Sequence, residues 1–196
     1  MDKPWAARSP LTPAPRTAAQ SRILAAALDL IAEHGVSGTS LQMIADRVGV
    51  TKAAVYHQFR TKDEIVIAVT EDELTALQDA LDAAEAEPDR LRARSVLLTR
   101  VVEVAVARRR WVVTLQHDPV IIRLLGRHEP FQRFIDRLYR VLLGEEDATA
   151  ASMVRAAIFS AVIGGTVSSP IVADIPDAEL RDELLTTLRR LLELPG

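Results

Sequence analysis

The 196-residue chain has no cysteine. This excludes a disulfide scaffold, a thiolate metal site and a cysteine nucleophile. Proline is missing between Pro15 and Pro88, and glycine between Gly49 and Gly126. Long stretches without either breaker, rich in Ala, Leu, Arg and Glu, predict helices. The chain also lacks period-2 alternation and Asn-Gly or Asp-Gly hairpin turns, so nothing predicts a strand, and no internal repeat is visible. An apolar leader is missing as well, since Asp2 and Lys3 open the chain, and no secretory signal is expected. The longest uncharged stretch, 156–173, is interrupted by Gly164, Gly165, Ser168, Ser169 and Pro170. It predicts a buried helix followed by a loop rather than a membrane span. The expectation is an all-α, soluble, cytoplasmic protein with enough chain for a core.

What is present is an uneven distribution of charge. The net charge is only −3. Residues 1–62 carry +4, 63–90 carry −9, 91–155 carry +5 and 156–196 carry −3. A basic N-terminal region on an acidic chain suits a protein that offers one end to a polyanion. The acidic 63–90 stretch is expected to be a solvated face. Four of the ten prolines fall within residues 1–15, so 1–16 predicts a flexible arm.

Four helices are expected next. The first runs from about Thr17 to His34 and stops at Gly35, with Ile23, Ala27, Leu30 and Ile31 on one stripe. A short second helix is capped by Thr39 or Ser40 and buries Leu41, Ile44, Ala45 and Val48, with Gly49 ending it in the left-handed conformation. Thr51 caps a third that buries Val55 and Phe59. The capping box Thr61-Lys62-Asp63-Glu64 opens a long fourth that ends before Pro88. Further helices are expected at roughly 88–107, 110–116, 118–126, 130–143, 148–166 and 176–193. The nearly all-apolar 97–106 segment should lie at the centre of the larger domain.

Residues 39–62 carry the chemistry. Two short helices separated by Gly49-Val50 describe a helix-turn-helix. Ala45 is small where the helices cross, and Val50 plugs the gap between them. Thr51, Lys52, Ala53, Tyr56 and His57 are left outside on the third helix, at the end that would enter a major groove. Thr51 offers a hydroxyl and a helix N-terminus to phosphate. Lys52 suits guanine or phosphate, and Ala53 or Ala54 a thymine methyl. Tyr56 and Lys62 suit phosphate oxygens. A helical hairpin with a solvated polar face fits the same spacing.

These residues resemble the TetR family of transcriptional regulators. The resemblance rests on Thr39-Ser40, Ile44-Ala45, the run Gly49-Val50-Thr51, Val55-Tyr56 with Phe59, and Lys62-Asp63-Glu64. It covers about residues 17–67. It implies a homodimer with N-terminal DNA-binding heads and a larger helical domain that dimerises and takes a small-molecule effector. By the same resemblance Gln42, Lys52, Ala53 and Ala54 are base-reading positions, and Thr39, Thr51, Tyr56 and Lys62 contact phosphate. His57 falls at a variable contact position. Gln58 departs from the pattern, where His or Tyr is more usual, which puts that contact in doubt. Arg8 and Arg16 on the arm could reach a minor groove, or could make no contact.

Beyond residue 88 the resemblance does not extend in sequence. The small residues Ala157, Ala161 and Gly165 on one helix, with Leu184, Leu188 and Leu191 on the last, form a candidate dimer surface. Trp111, Leu115, His117, Phe131, Phe134 and Tyr139 are candidate effector contacts, although aromatics at helical spacing also serve as plain core. His117-Asp118 has no second His-Asp pair, so no metal, cofactor or catalytic site is expected. Arg108-Arg109-Arg110 should complement the C-terminal end of a helix. The division is thus an arm (1–16), a helix-turn-helix DNA-binding domain (17–62) and a ligand-binding and dimerisation domain (63–196). The expected function is a ligand-responsive regulator, not an enzyme, that binds a palindromic operator on double-stranded DNA as a homodimer and represses. Activation, or an adaptor whose head has lost DNA, are the alternatives.

Overall fold

The computed structural model describes residues 16–144 and 149–192. Among them the chain is helical throughout, without strands. The helices are α1 (Ala18–Gly38), α2 (Leu41–Val48), α3 (Lys52–Gln58), α4 (Lys62–Ala86), α5 (Arg90–Ala107), α6 (Arg109–His117), α7 (Pro119–Leu125), α8 (Glu129–Leu143), α9 (Ala150–Val167) and α10 (Asp177–Leu191). A 3-10 turn at Pro170–Val172 follows α9.

Local chemistry sets most boundaries. Thr17 and Gln20 form a reciprocal capping box at the start of α1, and Ser40 accepts from the Met43 amide to cap α2. Thr51 does the same for α3 through the Ala54 amide. Asp89 caps α5, and Asp118, ahead of Pro119, caps α7. Gly49 ends α2 with φ 77° and ψ 37°. Such side-chain caps satisfy amides that the helix itself leaves open. Gly35 interrupts α1 with φ 70° and ψ 171°, a conformation essentially confined to glycine. The chain therefore turns at Gly35, where the helix was expected to stop.

The described chain divides into two compact units. The first comprises residues up to Thr75 together with Thr114–Gln132. In it α1, α2 and α3 pack on one another, and α7 packs on α1. Its core holds Ile23, Ala27, Leu30, Ile31, Val36, Ile44, Ala45, Val55, Ile65 and Val69. The unit that contains the head thus takes in a segment remote in sequence.

The second unit comprises Ala76–Val113 and the chain from Arg133 onward. Here α5 packs against both α10 and α9, and its Leu97, Leu98, Val102 and Val106 are buried as the apolar pattern requires. Arginines tie its parts together. Arg137 donates to Glu85 (2.7 Å) and Asp82 (2.7 Å) on α4; hydrogen bonding to Glu85 first, then to Asp82, raises its pKa further and keeps it charged. Arg94 Nε donates to the Leu142 carbonyl at 2.9 Å. Arg109 donates to the Ile175 carbonyl (3.1 Å) and to Asp177. Of the Arg108-Arg109-Arg110 run, Arg109 therefore clasps the connection before α10, a longer reach than the helix-end role expected of it.

Candidate nucleic-acid interface

The head is built so that one face of α3 stays open. Val55 and Phe59 are buried, while Thr51, Lys52, Ala53, Ala54, Tyr56 and His57 are exposed. The short α3 is held through Val55 and by the turn at Gly49, whose amide donates to Ala45 and Asp46 carbonyls. Lys52 Nζ lies 5.8 Å from the centre of the Tyr56 ring, a cation–π pairing that keeps both side chains at the same end of the helix. Tyr56 is 46% exposed. Gln58 is half-buried, with its amide 3.4 Å from His57 Nδ1.

Gln42 projects from α2 and donates to Asp46 at 2.7 Å. Its amide is thereby oriented one turn along the exposed side of α2.

Two expected phosphate contacts are placed otherwise. Thr39 is buried, and its hydroxyl donates to the Gly35 carbonyl at 2.9 Å. Lys62 is half-buried, and its ammonium donates to the Val36 carbonyl (2.7 Å) and the Thr39 carbonyl (3.0 Å). Both side chains stabilise the α1–α2 turn. Spacing along the chain puts them near the DNA face but does not reveal that the turn's open carbonyls claim them first. Arg16 likewise pairs with Glu71 (3.1 Å) and Asp72 (3.4 Å) on α4, while Arg8 lies outside the described residues.

The effector candidates are divided between the units. Leu115, His117 and Phe131 belong to the first; Trp111, Phe134 and Tyr139 belong to the second. Phe134 and Trp111 are buried, and His117 is exposed. Burial pushes the Tyr139 phenol above its ordinary pKa, and a hydrogen bond with Ser160 works against that shift. Three buried polar atoms of the second unit, Trp111 Nε1, Gln78 Oε1 and Arg189 Nε, have no hydrogen-bond partner among the described residues. Buried polar groups are normally satisfied. Gln78 carries no signal in the sequence, being one polar residue among the many on α4. Among the described residues no three His, Asp or Glu side chains are grouped so as to hold a metal ion.

The candidate dimer residues also separate. Ala157, Ala161 and Gly165 are exposed on α9, beside Met153 (67% exposed), Val154 (58%) and Ile158 (57%). Leu184 and Leu188 are 5% and 1% exposed, on a helix that packs against α5 of the same chain. Only Leu191 of the three leucines is exposed. By length and composition α9 could also cross a membrane, but it carries Arg155, and its apolar exposure is confined to one face.

Comparison with known proteins agrees with this geometry. Residues 23–69 match the family described as bacterial regulatory proteins, tetR family. The HTH-type transcriptional repressor KstR2 of Mycolicibacterium smegmatis is 30% identical over 87 residues, 42% of each chain. The HTH-type transcriptional regulator Mb1846 of Mycobacterium bovis is 30% identical over 127 residues, 62% of this chain and 51% of that protein. The chain thus matches about half or less of the length of these relatives. The fold is also that of the fatty acid degradation regulator FadR from Bacillus halodurans, with a TM-score of 0.70 and 17% identity over 91% of this chain and 96% of that one. With the helix-turn-helix in place and the matched segment coinciding with it, residues 23–69 are similar to the DNA-binding head of the tetR family of bacterial regulatory proteins.

Proposed function

We propose that this chain is a cytoplasmic, ligand-responsive transcriptional repressor that binds a palindromic operator as a homodimer. The observation that carries the reading is the open face of α3. Thr51, Lys52, Ala53, Ala54 and Tyr56 are exposed together on a helix whose opposite side is locked into the head by Val55. A helix so presented fits a major groove, with Lys52 suited to guanine and the alanines to thymine methyls. Thr51 and Tyr56 supply hydroxyls for phosphate. Gln42 on α2 adds an amide suited to adenine.

Residues 17–62 would read DNA, and 63–196 would bind effector and dimerise. The exposed apolar face of α9 supports dimerisation, because a patch of this kind is costly to leave in water. The unsatisfied Trp111 Nε1 and Gln78 Oε1 support an effector that supplies one acceptor and one donor. Such coupling typically changes affinity by about 5- to 150-fold. The reading is of a regulator and not an enzyme.

The test is selection from a random duplex library with purified protein, followed by sequencing. A palindromic motif is the expected result. Failure to enrich any duplex, at low salt as well as physiological salt, would overturn the DNA-reading assignment in favour of the adaptor.

A further inference from the structure

Among the described residues His117-Asp118 joins no group of side chains that could hold a metal ion, yet Asp118 accepts from three backbone amides. Its Oδ1 accepts from the Val120 amide (2.8 Å) and the Ile121 amide (3.3 Å), capping α7. Its Oδ2 accepts from the Val36 amide at 2.7 Å, across 82 residues of sequence. Val36 is fully buried and follows the break at Gly35, so its amide has left the α1 ladder. The missing side chain at Gly35 makes room for the carboxylate, since a Cβ there would stand 3.1 Å from Oδ2.

The carbonyl of Val36 is held as well. It accepts from Lys62 Nζ at 2.7 Å and from the Thr39 amide at 3.3 Å. Lys62 also donates to the Thr39 carbonyl, immediately before the Ser40 cap of α2. One residue is thus gripped on its N–H by the α6–α7 junction and on its C=O by the first residue of α4. Both grips are charge-assisted, and such bonds are shorter and stronger than neutral ones.

We propose that Asp118 is a positioning residue for DNA recognition. It fixes the α1–α2 turn, and through it the seating of α2 and the presentation of α3. This rests on the DNA-reading assignment above. It adds a residue far outside the helix-turn-helix to the set that determines operator affinity. It also makes the α6–α7 junction a place from which that affinity can be changed.

The α7 cap and the grip on Val36 can be separated. Asp118→Ser retains a capping hydroxyl for α7 but is too short to reach Val36. Asp118→Asn retains the size of the side chain, but one carboxylate oxygen is replaced by an NH2 group that cannot accept a hydrogen bond, so the cap and the grip on Val36 cannot both be kept. Amide exchange on the full chain is read first and needs no DNA. In both variants the Val36 amide is expected to exchange about tenfold faster or more, with the rise confined to 35–48 and α5 and α10 as protected as in the wild type. Operator affinity, on the duplex selected by the wild type, is expected to fall about tenfold. The salt slope should be unchanged, because no phosphate contact is lost.

Unchanged Val36 exchange in both variants overturns the proposal. So does faster Val36 exchange with operator affinity within twofold of wild type. Faster exchange spread evenly over α5 and α10 also overturns it, by showing general destabilisation. A wild type that binds no duplex refutes the DNA reading instead, and the exchange data then still decide whether Asp118 seats the turn.

Discussion

The break at Gly35 predicts an unusually informative pair of glycine substitutions. Gly35 has φ 70° and ψ 171°, whereas Gly49 has φ 77° and ψ 37°. Both have positive φ, but only Gly49 lies in the left-handed helical region, which Asn tolerates. A Cβ at Gly49 meets nothing within 4 Å, whereas one at Gly35 meets Asp118 Oδ2 at 3.1 Å. Gly49→Ala should therefore cost only the left-handed penalty, about 1–2 kcal/mol, and Gly49→Asn should recover most of it. Gly35→Ala carries backbone strain of about 1–3 kcal/mol. It also pushes at a carboxylate whose bond to Val36 belongs to the class worth about 1.5–3 kcal/mol. Asp118 is partly exposed, so the lower part of that range applies and the total is roughly 2–4 kcal/mol. With a urea dependence of about 2 kcal/mol per molar, the unfolding midpoint should fall by roughly 1–2 M. Gly35→Asn should give no recovery, because Asn does not favour ψ near 180°. Urea unfolding followed by circular dichroism provides the measurement. A midpoint for Gly35→Ala within about 0.2 M of wild type, or recovery with Asn at both sites, would refute the reasoning.

Other consequences are more direct. Lys52→Ala should change the sequence preference of the selected duplexes, whereas Tyr56→Phe should weaken all duplexes alike by a few-fold, as binding titrations on matched and mismatched operators would show. Ile158→Asp places like charges near each other in a two-fold interface of α9 faces and should weaken the dimer about 100-fold or more, measurable by sedimentation. Burial raises the Tyr139 pKa, so the folded state favours the neutral phenol. Its contribution to stability is complete below the ordinary value of about 10 and is lost as pH rises through the folded value. Melting temperatures between pH 8 and 11 should therefore fall more steeply for wild type than for Tyr139→Phe; parallel curves would contradict this.

What the sequence disclosed, and what it did not, follows from the range of the interactions. Helix ends are local events. Thr17 with Gln20, Ser40, Thr51, Gly49, Asp89 and Thr149 each act within four residues, and each boundary can be read from them. The open face of α3 is equally local, because burying Val55 and Phe59 leaves the other side outside. The roles of Lys62 and Asp118 are not local. They depend on which carbonyls and amides the turn at Gly35 leaves unpaired, and the partners come from 26 and 82 residues away. Leu184 and Leu188 illustrate a second limit. An apolar stripe indicates that a helix face is buried but not by what, and here α5 of the same chain covers it. On α9 the small residues were legible as a close-approach surface, yet the larger Met153, Val154 and Ile158 beside them contribute most of the exposed apolar area.

The same internal demands bear on how strongly the head can depend on charge. Residues 16–62 contain six Lys or Arg, enough to suggest a binding mode dominated by phosphate neutralisation. Four of the six are engaged. Arg16 pairs with two carboxylates of α4, Arg47 lies 3.5 Å from Glu33, Arg22 donates to the Val48 carbonyl at 2.9 Å, and Lys62 grips the α1–α2 turn. Moving any of these to phosphate would leave its present partner uncompensated, so the net gain is small. Lys52 and Arg60 remain exposed at the ends of α3. Two cations per head make four in a dimer, and at about 0.9 per neutralised phosphate the slope of log K against log salt should be near −4. If all six bases of each head bound phosphate, the slope would approach −11. Affinity must then come substantially from the hydroxyls of Thr51 and Tyr56, the N-terminus of α3, and the joining of two heads. Titration of the selected operator between about 50 and 200 mM salt distinguishes the two cases. A slope steeper than about −8 would mean that the internal pairs give way on DNA, and that the turn at Gly35 rearranges when the head binds.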